Sequence, residues 1–231
     1  MTSIRKVEEM AARQGLFTEV RRRSRGAESP ETLKREGPWI AISRQLGSGG
    51  SELAGRVAEA LGWKSYDREI LTAIAERTQS DEYLLSRLDE QGVAEFHEYL
   101  APLIVPEDPG QAKYLAEMAR IIVQIARLGR VVLVGRGAHW ILTPDCGLRV
   151  RSVGSRDARA AIVAGAEGIP LDEARKKVEE NDLSQRKFIR KAFNREIDDP
   201  AGYDLILNPL DLGLPAAVET VLAAARAKLS F

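Results

Sequence analysis

Residues 39–62, WIAISRQLGSGGSELAGRVAEALG, leave this chain few folds to choose from. WIAIS reads as a short buried strand, the following residues place Gly47, Gly49 and Gly50 in a tight turn, and SELAGRVAEALG has the apolar spacing of a helix. A strand that passes through a glycine turn straight into a helix opens a β-α-β unit, and such units build parallel sheets.

The alternation continues along the chain. KSYD (64–67) is followed by a long helical region, then VVLVGRG (131–137), LRVRSVG (148–154), a second helical region, and YDLILN (203–208) before a final helix. About five strands separated by helices predict an α/β fold with a five-stranded parallel sheet covered by helices. With 231 residues, 44% of them hydrophobic, the chain is long enough for one main domain at 38–231 and an appended segment.

That appendage is residues 1–37, an N-terminal helix and polar linker. Helical spacing runs from Ile4 to Arg25, and a polar stretch leads to Pro38. Glutamates are interspersed and Phe17 is the one aromatic near the arginines, which favours a solvated or docking helix over a nucleic-acid arm. A helical insertion at about 78–110, carrying DEYLLSRL and VAEFHEYLAPLIV, is too long for a plain crossover.

Composition narrows the function classes. The 34 basic and 34 acidic residues cancel, so no global field draws the protein to nucleic acid or to an anionic membrane. The single cysteine, Cys146, excludes an internal disulfide, and with two histidines it argues against a metal cage of soft ligands. The N-terminus is charged from Arg5 and no segment is apolar for long enough to span a bilayer. The expectation is a cytoplasmic protein with neither a nucleic-acid nor a membrane partner; a homo-oligomer stays open.

The glycine turn also carries chemistry. A phosphate-binding loop of the form G-x-x-x-x-G-K-[ST] converges backbone N–H groups on phosphate at a helix N-terminus, and its lysine bridges the outer phosphates. With Ser51 at the hydroxyl position, Gly49 falls on the second glycine, Gly50 on the lysine and Arg44 on the first glycine. The hydroxyl is kept and the lysine is not. The amides of Gly47, Ser48, Gly49 and Gly50 could cradle an anion without it, with Arg44 as the candidate source of charge, although arginine and lysine are not interchangeable. A plain strand-to-helix turn would use the same glycines, and the loop alone leaves both readings standing.

Taken together, ISRQLGSGGSELAGRVAEALG, SYDREIL, VVLVGRGAHWIL, PDCGLRVRSVGSRDAR, ENDLSQRKFIR and YDLILNPLDLGLPAAVETVL resemble the cytidylate kinase-like family of the nucleoside monophosphate kinases, over about residues 39–229. The resemblance implies a P-loop kinase-like three-layer fold, a helical insertion that binds the acceptor, and a helical lid at about 165–195. It implies ATP and Mg2+ as cofactors, the metal at Ser51, and transfer of the γ-phosphoryl group to a nucleoside monophosphate such as CMP or dCMP. Phosphoryl transfer asks a protein for alignment and charge neutralisation more than for covalent help, and arginine can chelate phosphate oxygens bidentately.

By that resemblance, Gly47, Ser48, Gly49, Gly50 and Ser51 hold the donor phosphates with Arg44. Asp67 stands where cytidylate kinases carry an acid near the acceptor or the metal; it is equally placed to cap the helix pattern that follows. The arginine those kinases carry a few residues later is replaced by Ala73, with Arg68 or Arg77 as substitutes. Arg136, between two glycines at a strand end, is expected to contact the acceptor, where open α/β sheets bind ligands; Gly137 follows it in place of an acid. Twelve Lys or Arg and seven acids lie between Arg149 and Arg195. Within that stretch Arg186 and Arg190 share a helix face and stand as the lid's catalytic arginines, with Asp182 orienting them or touching the acceptor.

Two other classes remain at this stage. The missing lysine suits a nucleotide-binding regulatory module on a kinase scaffold, and Gly137 with the long insertion suits a kinase for another small acceptor.

Overall fold

A computed structural model describes residues 37–67 and 109–229. The expected N-terminal helix, Arg68, Arg77 and nearly all of the 78–110 insertion lie outside the described residues. In chain order the elements are β1 (Trp39–Arg44), α1 (Gly50–Leu61), β2 (Lys64–Tyr66), α2 (Pro109–Arg127), β3 (Val131–Val134), α3 (Ala138–Ile141) and β4 (Gly147–Ser152). They are followed by α4 (Arg156–Glu167), α5 (Leu171–Phe193), β5 (Leu205–Leu207), α6 (Pro209–Leu212) and α7 (Leu214–Leu229).

All five expected strands form, and they join one parallel sheet in the order β2-β3-β1-β4-β5. β1 is central: Ala41 lies opposite Leu133 on one side and Arg149 on the other. Covered on both faces, it can afford no polar residue before its end, which is why WIAI is apolar without alternation. One face, with Ile40, Ile42, Val132, Leu148 and Val150, packs on α1 and α7. The other, with Trp39, Ala41, Val131 and Leu133, packs on α2 and α3. Each large side chain so removed from water contributes about 1.5–3 kcal/mol before entropy is counted.

α4 and α5 stand beside this sandwich as a helical pair. Ser155 caps α4 by accepting the Ala158 N–H at 3.3 Å, and Ala160 and Val163 meet Ala174 and Val178 of α5. Leu46, from the glycine loop, packs on the same cluster, so the loop leans on the pair.

Asp204 fastens the edge strand β5. It accepts the Arg149 N–H at 2.8 Å, the Arg149 guanidinium at 2.9 Å and Lys228 at 2.7 Å. Burial alone would raise its pKa, yet these bonds to Arg149 and Lys228 hold the carboxyl down at about 2, against an ordinary 3.8. A carboxyl depressed in the folded state stabilises above its unfolded pKa and loses that contribution as pH falls through the folded value. Stability should therefore drop between about pH 4 and pH 2, and Asp204→Asn should flatten that part of the profile. Urea unfolding at pH 5, 3 and 2 checks it; parallel profiles for both proteins would refute the assignment.

Candidate functional site

The loop after β1 sits at the carboxyl edge of the sheet, with Asp67 after β2 and Gly135–Gly137 after β3 on the same edge. Gly47 and Gly49 have φ of 78° and 75°, which L side chains rarely adopt. Gly49 is also the N-cap of α1 and offers no side-chain cap, so the first amides of that helix gain no acceptor from the cap residue's side chain and have none within the helix. Those amides and the helix dipole suit an anion.

Ser48 faces inward instead. Its Oγ donates to the Gln45 carbonyl at 2.8 Å, and the buried Ser152 donates to the Ser48 carbonyl at 3.1 Å and lies 3.0 Å from Ser48 Oγ. The Ser48 N–H is also taken, by the Gln45 carbonyl at 3.2 Å. The Ser48 side chain thus braces the loop from below, while Ser48 itself lines the cleft with Gly47, Gly49, Gly50 and Ser51.

Arg44 points toward this mouth. Its Nε donates to Ser51 Oγ at 3.3 Å, and the guanidinium passes so near Gly135 that a Cβ there would lie 2.4 Å from Nη1. The charge that the loop lacks at position 50 therefore arrives from the strand end, between the glycine loop and the β3 turn. Position 50 itself has no room for a side chain: a Cβ would lie 2.5 Å from Arg44 Cβ and 2.8 Å from Ser152 Cβ. Gly50→Ala is expected to cost about 1–3 kcal/mol by overpacking, and Gly50→Lys at least as much with no gain in activity. Urea unfolding of both variants tests this; a lysine variant as stable as the parent would overturn it.

The cleft above the loop measures about 240 Å³ and is closed on its far side by Asn181 and Gln185 of α5. Among the described residues its charged lining side chains are Arg44 and Glu52. Arg186 and Arg190 do not line it. Arg186 donates to Asp198 at 2.8 Å, and Arg190 pairs with Glu196. Asp198 also receives the buried Arg151 at 3.1 Å; burial tends to raise its carboxyl, but the two arginines bring it below the usual range.

Asp182 is committed elsewhere too. Both of its oxygens are bound by Arg159, at 3.0 and 2.8 Å. Arg159 is 4% exposed, and it also donates to the carbonyls of Gly154 at 2.9 Å and Leu46 at 3.3 Å. One guanidinium therefore ties the glycine loop, the turn after β4 and helix α5 together. In the sequence Arg159 is one charge in a basic run, and its position beside the apolar stripe Ala160 and Val163 is the signal that marks it as buried.

Arg136 has φ 52° between Gly135 at 81° and Gly137 at 70°. A long side chain in this left-handed region costs energy that surrounding structure must hold, a pattern met at ligand sites. Gly137 is closed to substitution: a Cβ would lie 2.4 Å from the Phe193 ring. The Phe193 ring fills the space beside position 137.

His139 and Trp140 complete the turn. His139 is 4% exposed and stacks on Tyr203 at 4.9 Å; burial first, then Arg151 and Arg149, lower its pKa to about 3, so it stays neutral; among the described residues its Nε2 has no hydrogen-bond partner. Its ring packs between Trp140, at 4.8 Å, and Tyr203. Among the described residues no group of three His, Cys, Asp or Glu side chains could hold a metal, and no helix is long and apolar enough to cross a membrane.

The fold and the open glycine loop define a three-layer α/β protein with a parallel five-stranded sheet and a glycine-rich strand-to-helix loop at its carboxyl edge. Residues 39–209 match the cytidylate kinase-like family, and the chain belongs to that family. It is 30% identical over 169 residues to the cytidylate kinase of Pyrococcus horikoshii, covering 73% of this chain and 78% of that one. It is 28% identical over 193 residues to the cytidylate kinase of Pyrobaculum aerophilum, covering 83% and 95%. The crystal structure of an uncharacterized protein from Eubacterium ventriosum superposes with a TM-score of 0.65 at 20% identity, over 84% of this chain and 99% of that one.

Proposed function

We propose that this protein is an ATP-dependent nucleoside monophosphate kinase that phosphorylates CMP or dCMP. The observation that carries the reading is the glycine loop opening into a cleft with Arg44 bonded to Ser51 at its mouth. The amides at the start of α1 would bind the donor phosphates, and Arg44 would supply the positive charge that a lysine supplies in related loops.

Ser51 fits a magnesium ion. Its hydroxyl accepts one bond from Arg44 and keeps a second lone pair, and Mg2+ in such sites takes most of its ligands from phosphates and water. When bound, the ion would neutralise charge on the phosphates. On the acceptor side, Arg136 and Asp67 lie at the same sheet edge as the loop, and Arg68 is the neighbouring candidate. Arg186 and Arg190 would reach the phosphates by exchanging Asp198 and Glu196 for them. Asp182 contributes by holding α5 to the loop through Arg159.

A second reading rests on Phe193, which fills the space an acid would need at position 137. It makes the protein a kinase for a different small acceptor on the same scaffold. Measuring ADP formation from Mg-ATP with CMP, dCMP, UMP, AMP and GMP in turn, with an acceptor-free control, separates these. Turnover with CMP or dCMP supports the first reading; ATP binding without turnover on any of them removes it.

A further inference from the structure

Helix α5 carries its own account of what lies in the cleft. Its inward stripe reads Ala174, Val178, Asn181, Gln185, Ile189 and Ala192, and every member except the two amides is a buried apolar residue. The amides occur where the stripe crosses the glycine loop. Carboxamides on the inward stripe of a helix cost desolvation unless they gain partners. Gln185 Nε2 donates to Asn181 Oδ1 at 2.7 Å, which fixes the pair and leaves the Asn181 amide N–H groups to be satisfied from the cleft. The arginines one step round the helix are held away from it by Asp198 and Glu196.

We infer that Asn181 and Gln185 are direct hydrogen-bonding ligands for the phosphates of a nucleotide held in the loop, a neutral roof opposite the backbone amides below. Among the described residues Arg44 is the cation that lines the cleft, and the pair adds directional donors without a further charge. The inference rests on the donor-loop reading above and adds two residues to it.

The test is titration calorimetry of MgATP into the full-length chain as wild type, Asn181→Ala, Gln185→Ala and Asn181→Asp, with the unfolding midpoint of each ligand-free protein. A second arm measures the acceptor KM at saturating MgATP. The Asn181→Ala variant should bind MgATP about tenfold more weakly or worse, with its acceptor KM unchanged. Asn181→Asp keeps the shape, so its fold is expected to survive, and it sets a carboxylate against phosphate; its loss should be larger still. Wild-type affinity in either Asn181 variant, or a change confined to acceptor KM, overturns the inference and leaves the donor loop standing. Failure of the wild type itself to bind MgATP overturns the donor-loop reading, and this inference with it.

Discussion

Arg159→Ala is expected to destabilise the protein by about 3–5 kcal/mol, the range for breaking a buried charge pair by removing one partner. The side chain is 5% exposed and Asp182 only 15%, so the carboxylate left behind cannot recover full hydration. The carbonyls of Leu46 and Gly154 lose a donor in the same step. Arg159→Lys should recover only part, because one ammonium cannot reproduce the fork that meets both Asp182 oxygens and two carbonyls. Urea unfolding of Arg159→Ala, Asp182→Ala and the double variant measures the coupling: the double variant should lose much less than the sum of the singles. Additive losses would mean that the two residues act separately and that the loop is not fastened to α5 through them.

Arg44→Ala is expected to lower turnover by about 10²–10³-fold, comparable to removing one charge-stabilising donor from an active site, with an unfolding midpoint close to the parent. The side chain is half-buried at the sheet edge rather than in the core, so its loss should be felt by the phosphates and not by the fold. Arg44→Lys separates charge from reach. An ammonium at the strand end keeps the charge but loses the Nε bond to Ser51, and partial recovery would show that charge is the larger part. Unchanged turnover in Arg44→Ala would remove Arg44 from the donor site and leave the backbone amides to act with the metal alone.

Much of the sheet was legible in advance. WIAI, VVLV and the alternation of strand with helix require a parallel sheet, because only a strand covered on both faces tolerates an unbroken apolar run. The glycine loop was equally legible as a turn into a helix, and its position between β1 and α1 places it at the carboxyl edge. What the pattern could not show is which way a side chain leaves a helix once partners compete for it. Arg186 and Arg190 read as one face of a lid, but Asp198 and Glu196 lie near enough to take them, while Asn181 and Gln185 meet the cleft. Spacing in α5 did contain a clue, since the two amides fall on the stripe of Val178 and Ile189.

The two departures from the kinase pattern divide in the same way. By itself the sequence determined that position 50 carries no lysine and position 137 no acid. Only the tertiary structure decided why. Arg44 and Ser152 approach position 50 from the ends of β1 and β4, and the Phe193 ring comes to position 137 from the far end of α5. These contacts join residues up to about a hundred positions apart, and local propensity carries no information about them. Strand and helix were set by short-range periodicity; the space left at each glycine, and the direction of Arg44, were set by how those elements pack.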